Sequence, residues 1–300
     1  MDSDSKQKIK GIICIILAGF CFATMSLFVR LVGDISVFQK SFFRNLFAFV
    51  FGFAILINSE RKERAKNGSK EEKIIKPGTF KYLILRSACG TIGMICNFYA
   101  VDHLYLSDAT MLNKLSPFFA IIFSFLILKE KVNFKQILMI IVAFVGSLFV
   151  IKPSFDFAKS FPAFIGFIGA IGAGSAYAFV GKLRSSGVKS SVVVVFFSAF
   201  STILTAPYLI FFYNPMTLQQ ILLLLCVGLA ALGGQYFITN AYFFAKAREI
   251  SIYDYSQILF ASIYGIIVFS QYPDVFSIFG YLIILSMAFL MFRYNLKKKE

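Results

Sequence analysis

Long apolar segments recur along nearly the whole chain, and they limit the possible folds more than any other feature. Ten windows of about 20 apolar residues, the length that crosses the hydrocarbon core of a bilayer, are separated by polar stretches. Hydrophobic residues make up 58% of the sequence, above the roughly 45–50% of soluble domains. We expect helices, because transmembrane strands would need only about 9–11 alternating residues each. The predicted spans are 11–32, 36–58, 79–101, 104–128, 134–151, 162–181, 189–212, 218–241, 250–269 and 275–292.

Basic residues are distributed unevenly among the polar segments. The chain has 30 Lys and Arg against 15 Asp and Glu, a balance that in a soluble protein would suggest nucleic-acid binding. Here most cations lie in alternate segments, including the long polar stretch 58–79, which we expect to be a solvated loop. The intervening segments carry only Lys152 and Lys159. The positive-inside rule therefore predicts a multi-pass protein of the plasma or inner membrane with both termini cytoplasmic, and no nucleic-acid partner.

Residues 86–130 and 227–271 align as two copies of one segment without a gap. The matches include a glycine, an alanine and an acidic residue, at Gly93/Gly234, Ala100/Ala241 and Asp108/Glu249. Five predicted spans precede the join near 152–161, so the second copy enters the membrane from the opposite side. The predicted fold is all-α, with ten transmembrane helices in two inverted-topology repeats. These occupy 1–151 and 162–293, and a cytoplasmic tail follows at 294–300.

Short motifs within the two copies resemble a known family of transporters. In the first copy they are Leu85-Arg86-Ser87-Ala88-Cys89-Gly90, Leu106-Ser107-Asp108-Ala109, Leu115-Ser116-Pro117-Phe118-Phe119-Ala120 and Leu128-Lys129-Glu130-Lys131-Val132. In the second copy the corresponding motif is Tyr255-Ser256-Gln257-Ile258-Leu259-Phe260-Ala261. Together they resemble the EamA repeat of the drug/metabolite transporter superfamily. The resemblance implies two inverted five-helix halves around a central cavity, with alternating access for small metabolites. The chain departs from the family pattern at Gln271, where an acidic residue is common.

Ionised side chains inside the predicted spans are the main clue to a site. Each costs roughly 2.5–3.5 kcal/mol at the centre of an inserted helix, so it must face protein or water. Arg44 and Lys114 lie deepest. For Lys40 and Asp108, near the extracytoplasmic ends, an interhelical ion pair or snorkelling explains the charge as well as a role in transport does. Polar residues along helical faces complete the candidate set. The predicted substrate-binding residues are Arg44, Arg86, Asn97, Asn113, Lys114, Tyr177, Gln235, Asp254, Tyr255 and Gln257.

These charges also suggest a substrate class. Arg44 and Lys114 favour a carboxylate or phosphate, and Asp254 could meet an ammonium or sulfonium group. A zwitterionic metabolite, such as an amino acid or an S-adenosylmethionine-like compound, would satisfy both. Asp108, Glu249 and Asp254 are candidates for proton coupling, although a nearby cation could equally lock each of them. Exchange against a counter-substrate and facilitated diffusion remain alternatives.

Three local features lead to further expectations about the helices. Pro117 should kink the fourth span, because it removes a backbone hydrogen bond. Gly166, Ala170 and Gly174 form a ladder of small residues that predicts tight helix packing or, alternatively, sliding during gating. The pair Phe42-Phe43 aligns with Phe196-Phe197, which sets Arg44 opposite Ser198. A charge present in only one half is expected of a binding site.

Two other functional classes fit the sequence less well. An integral-membrane enzyme would need an activated nucleophile or an acid–base cluster. The sequence has no pair of histidines, no close carboxylate pair with catalytic spacing and no Ser elbow. A channel or receptor would not require inverted halves. With His103 as its only histidine, the chain predicts no metal site and no cofactor. The absence of a GxxxxGKS loop indicates that transport is secondary rather than driven by ATP hydrolysis within this chain.

Overall fold

The computed structural model describes residues 3–67, 78–128, 133–151, 157–244 and 251–297. Helices account for almost all of the described residues, and no strand occurs among them. A 3-10 helix, Ser251–Tyr255, leads directly into α10. The helices are α1 (Ser3–Leu31), α2 (Val37–Asn67), α3 (Phe80–His103), α4 (Leu106–Asn113), α5 (Ser116–Leu128), α6 (Phe134–Ile151), α7 (Phe157–Ser185), α8 (Ser190–Phe212), α9 (Leu218–Phe244), α10 (Ser256–Phe269) and α11 (Val275–Lys297).

Length and composition allow eight of the described helical segments to cross a membrane. They are Gln7–Leu31, Val37–Ser59, Phe80–His103, Leu106–Ile127, Ser160–Ser185, Ser190–Phe212, Leu218–Ile238 and Val275–Tyr294. The other two predicted spans coincide with shorter apolar helices, Phe134–Val150 and Tyr253–Phe269. The protein is therefore a multi-pass membrane protein, and a full set of ten crossings remains a prediction.

The second helix extends beyond its predicted span. It continues to Asn67, so the first part of the predicted solvated loop at 58–79 is helical instead. The added residues include Glu, Arg, Lys and Ala, which favour helix even without an apolar face to bury. Residues 68–77 lie outside the described ranges.

The fourth predicted span, 104–128, is divided into two helices. α4 ends at Asn113 and α5 begins at Ser116, with Lys114 and Leu115 in the turn between them. Pro117 lies in the first turn of α5, where a missing N–H group removes no intrahelical bond. The kink expected at Pro117 is therefore a break in the helix just before it.

Helices from the first and second parts of the chain pack in matching pairs. α3 packs along α7 as α1 packs along α9, and α5 contacts α7 as α10 contacts α1. α2 lies against α8, and α6 lies against α11. In the predicted repeats, the counterparts of α1, α2, α3, α4–α5 and α6 are α7, α8, α9, α10 and α11. When each helix is exchanged for its counterpart, α3/α7 becomes α1/α9 and α5/α7 becomes α1/α10, whereas α2/α8 and α6/α11 stay the same.

Glycines bring the backbones of α3 and α7 into direct contact. A Cβ atom added to Gly93 would lie 2.7 Å from the backbone nitrogen of Ala173. One added to Gly172 would lie 2.8 Å from the backbone nitrogen of Gly93. A Cβ added to Gly166, from the predicted ladder, would lie 3.1 Å from the Ala100 Cβ and 3.3 Å from a side-chain carbon of Leu112. The small residues of α7 thus serve close helix packing, and sliding along them remains a prediction.

We expect Gly93→Ala to lower the stability of the protein by about 1–3 kcal/mol, because the new methyl group must displace the α7 backbone. The measurement is thermal unfolding of the purified protein in detergent. Gly265→Ala is the matched control, since a Cβ there would have no neighbour closer than 3.8 Å and alanine favours helix by roughly 1 kcal/mol. Equal melting temperatures for the two variants would contradict the close contact.

Candidate functional site

A cavity of about 100 Å³ lies at the centre of the helix bundle. Its walls come from α1, α2, α3, α7, α8, α9 and α10, from the end of α4 and the turn after it, and from the 3-10 helix. Nine of the ten predicted substrate-binding residues line it, namely Arg44, Arg86, Asn97, Asn113, Lys114, Tyr177, Gln235, Asp254 and Gln257. The structure thus brings residues from both predicted repeats around one space.

One ion pair joins the two irregular segments of the cavity wall. Lys114 Nζ lies 2.6 Å from Asp254 Oδ2, and both side chains are largely buried. Lys114 lies in the turn between α4 and α5, and Asp254 lies in the 3-10 helix that precedes α10. The pair therefore connects two places where a regular α-helix is interrupted.

Tyr255 is the one predicted binding residue outside the cavity wall. Its ring is buried in an apolar cluster with Met111 and Leu112, and its hydroxyl donates a 3.1 Å hydrogen bond to the Lys114 carbonyl oxygen. In this structure Tyr255 therefore supports the Lys114 turn instead of facing the cavity.

Two buried guanidinium groups lie against the ring of Phe197. The Cζ atoms of Arg86 and Arg44 are 4.0 Å and 5.5 Å from the ring centroid. Their hydrogen-bond acceptors are neutral amides, Asn45 for Arg44 and Gln235 for Arg86, the latter at 3.5 Å. Among the described residues, neither guanidinium forms an ion pair with a carboxylate. A ring face attracts a cation but offers no acceptor for its N–H groups.

Several polar atoms at this site are buried without a hydrogen-bond partner. They include Nε of Arg44, Nε and Nη1 of Arg86, and Oδ1 of Asp254. Buried polar groups in proteins are nearly always paired, so a cluster of exceptions calls for a physical explanation. The carboxamides of Asn97, Asn113 and Gln257 add donors and acceptors to the same wall. The site can therefore hold acidic groups and, at Asp254, one donor.

A second polar cluster lies where the C-terminal ends of α1 and α3 meet the start of α2. Lys40 is almost fully buried, and its Nζ lies 2.7 Å from both carboxylate oxygens of Asp102. The ion-pair interpretation therefore holds for Lys40. Asp102 lies one residue beyond the predicted third span and so was missed as its partner. Arg30 donates to the Leu104 carbonyl oxygen and, at 3.4 Å, to Gln271 Oε1.

The three predicted proton-coupling residues have different positions. Asp254 lines the cavity and is paired with Lys114. Asp108 accepts a hydrogen bond from the Tyr281 hydroxyl and does not belong to the cavity wall. Glu249 lies outside the described residues. Within the described part of the chain, no group of three or more His, Cys, Asp or Glu residues could hold a metal ion.

Comparison with known proteins identifies the family. Residues 9–152 match the EamA-like transporter family. The pseudopaline exporter of Pseudomonas aeruginosa strain UCBPP-PA14 is 32% identical over 199 residues, which cover 66% of this chain and 70% of the exporter. The chain belongs to the EamA-like transporter family. It is a membrane transporter, and the resemblance seen in its sequence motifs is confirmed.

Other relatives of this EamA-like transporter cover more of its length. An uncharacterized transporter of Helicobacter pylori strain 26695 is 27% identical over 288 residues, covering 94% of each chain. Human solute carrier family 35 member G1 is 28% identical over 290 residues, covering 92% of this chain and 77% of the carrier. A solved crystal structure with 14% identity superimposes with a TM-score of 0.63 and covers 95% of this chain and 96% of its own. That structure shares the fold.

The apolar part of the transporter's cavity wall was missed by sequence reasoning. Phe22, Met25, Met94, Phe98 and Phe197 all contribute to it. Nothing local distinguishes Phe197 among 39 phenylalanines, because its role depends on two arginines from other helices. The one available signal was the alignment of Phe43 with Phe197, because Arg44 directly follows Phe43.

We expect Lys114→Met to destabilise the transporter by roughly 3 kcal/mol, because it leaves the buried Asp254 carboxylate without its counter-charge. The double variant Lys114→Met/Asp254→Leu should recover most of this loss, since no charge is then left unpaired. Thermal unfolding in detergent measures both. Arg293→Gln, an exposed change on α11, is the control. A double variant less stable than Lys114→Met would contradict the pairing.

Proposed function

We propose that the chain is a secondary active transporter for a small metabolite with amino and carboxylate groups. The observation that carries this proposal is the buried cavity in which Arg44 and Arg86 offer positive charge and Asp254 offers a carboxylate oxygen. An amino acid or another zwitterionic compound has groups for both. The site is small compared with the roughly 300–1,000 Å³ of typical ligand pockets, which favours a compact substrate or a cavity that widens on opening.

We further propose that transport proceeds by alternating access between two inverted five-helix repeats, 1–151 and 162–293. The matching helix pairs support this, because two related halves that face each other repeat their contacts. Interrupted helices at the binding site also support it, since they recur in transporters built from such repeats. When the two copies are aligned, the breaks at Lys114 and Asp254 fall one residue apart.

The cluster around Lys40 and Asp102 is proposed as a closed gate. The Lys40–Asp102 ion pair connects α2 to the end of α3. Hydrogen bonds of Arg30 and Gln271 connect α1 to the turns after α3 and α10. Elements from both proposed repeats thus meet at one end of the bundle. With both termini in the cytoplasm, as the loop charges predict, this end faces outward. In this arrangement the outer side of a plasma-membrane or inner-membrane transporter is shut.

The relatives support a transporter of small molecules but do not decide the direction of movement. One is named for exporting pseudopaline, and another belongs to a human solute carrier family. Exchange with a counter-substrate, coupling to protons and facilitated diffusion are compatible with the cavity. Asp254 is ion-paired in this structure, so its use as a proton carrier would require the pair with Lys114 to open.

In proteoliposomes, we expect saturable counterflow of one or more compounds from an amino-acid panel. Lys114→Ala and Asp254→Asn should each reduce the initial rate at least about tenfold, the effect of losing roughly 1.4 kcal/mol of charged hydrogen bonding. Arg293→Gln should leave the rate unchanged. Accumulation driven by an imposed pH gradient would add proton coupling to the mechanism. Unchanged counterflow in both cavity variants would rule out the proposed site.

We expect Asp102→Asn to open the proposed gate. The variant leaves the buried Lys40 ammonium without a counter-charge in the closed state, which should favour the outward-open state by at least about 1.4 kcal/mol, or tenfold in population. The measurement is labelling of Ala173→Cys, in a chain whose five native cysteines are replaced, by a membrane-impermeant thiol reagent added outside. Arg293→Gln in the same background is the control. Labelling no faster than in the control would contradict the gate.

A further inference from the structure

The charges that line the cavity do not balance. Lys114 and Asp254 neutralise each other at 2.6 Å, and Arg44 and Arg86 then contribute two positive charges. Neither arginine meets a carboxylate among the described residues, and both are more than nine-tenths buried. A buried charge without a counter-charge is costly in any protein, and more so within a membrane. A negatively charged group that entered the cavity would supply the missing counter-charge.

The arginines also lack hydrogen-bond acceptors of the right kind. Arg44 uses one N–H group on the Asn45 side chain, and Arg86 reaches Gln235 only at 3.5 Å. Three of their buried nitrogens, Nε of each and Nη1 of Arg86, have no acceptor. The planar guanidinium fork matches the two oxygens of a carboxylate or phosphate. Each arginine is thus prepared for an acidic group.

The cavity wall carries fewer negative charges than positive ones. Asp254 is the only acidic residue in the cavity wall as the structure describes it. Lys114 occupies its Oδ2 atom, and only Oδ1 is left without a donor. One ammonium or hydroxyl group can be accommodated there. The wall therefore offers two positions for acidic groups and one for a donor.

Building on the proposed transport function, we propose that the substrate carries a net negative charge. It has two acidic charges, from two carboxylates or one phosphate, held by Arg44 and Arg86, and a single donor directed at Asp254. This narrows the zwitterionic class to its acidic members. A sulfonium compound such as S-adenosylmethionine fits the wall poorly, because its additional positive charge would add to the excess of positive charge in the cavity.

The test compares ligands of nearly equal size that differ in charge. L-glutamate and L-glutamine differ by one negative charge, and S-adenosylmethionine and inorganic phosphate extend the range in both directions. Competition for counterflow in proteoliposomes and thermal stabilisation in detergent are measured for the full-length protein. We expect glutamate or phosphate to compete at a concentration at least about tenfold lower than glutamine does. Phosphate acting without glutamate would identify the acidic group as a phosphate.

The arginine variants show whether the preference arises at this site. The variant of the arginine that holds the side-chain carboxylate, either Arg44→Gln or Arg86→Gln, should bring the ratio of glutamate to glutamine competition close to one. The variant of the other arginine should weaken competition by both compounds. Arg293→Gln removes the same charge from the surface of α11 and should preserve the ratio.

Two contrary results are distinguishable. Counterflow that prefers glutamine or S-adenosylmethionine, or that ignores every acidic compound, overturns the net negative charge and leaves the transport function standing. If no compound shows saturable counterflow, the proposed transport function fails, and this inference fails with it.

Discussion

The buried ion pair between Lys114 and Asp254 is the contact around which the centre of this transporter is arranged. Each partner lies where a regular helix is interrupted, one between α4 and α5 and the other just before α10. Irregular backbone is tolerated at membrane depth only where it is enclosed by protein or lines a cavity. The pair holds two such segments face to face, and the cavity forms beside them. α6 and α11, which pack on each other, contribute none of their described residues to the cavity wall.

The cavity contacts also join the two proposed repeats. Lys114 belongs to the first and Asp254 to the second, while Arg44 and Arg86 of the first lie on Phe197 of the second. An acidic substrate that draws the guanidinium groups away from Phe197 would therefore exchange contacts between repeats for contacts with itself. A ligand shifts a conformational equilibrium only by the difference in its affinity for the two states. In the proposed mechanism the same groups bind the substrate and join the repeats, so occupancy and conformation would be coupled directly.

Sequence reasoning predicted the apolar helical segments and nine residues of the cavity wall for one reason, the high cost of polar groups in lipid. That cost forces Arg44, Lys114 and Asp254 to face inward, so their convergence could be expected without a structure. It has no influence on phenylalanine, and Phe197 was accordingly missed. The cost of a polar group is also lower at the ends of spans, and Asp102, one residue beyond a predicted span, was not predicted as a partner of Lys40. The predicted span 104–128 is divided into two helices just before Pro117. Hydropathy alone does not reveal whether a proline lies within a helix or in its first turn.

The backbone contact between α3 and α7 has a mechanical consequence. A Cβ added to Gly93 or to Gly172 would lie within 3 Å of the backbone of the other helix. We therefore expect α3 and α7, which belong to different proposed repeats, to move together. A conformational cycle would then bend elsewhere, and at Lys114 and Leu115 the regular helix is already interrupted. A hinge there would place the flexing joint and the charged binding site in the same few residues.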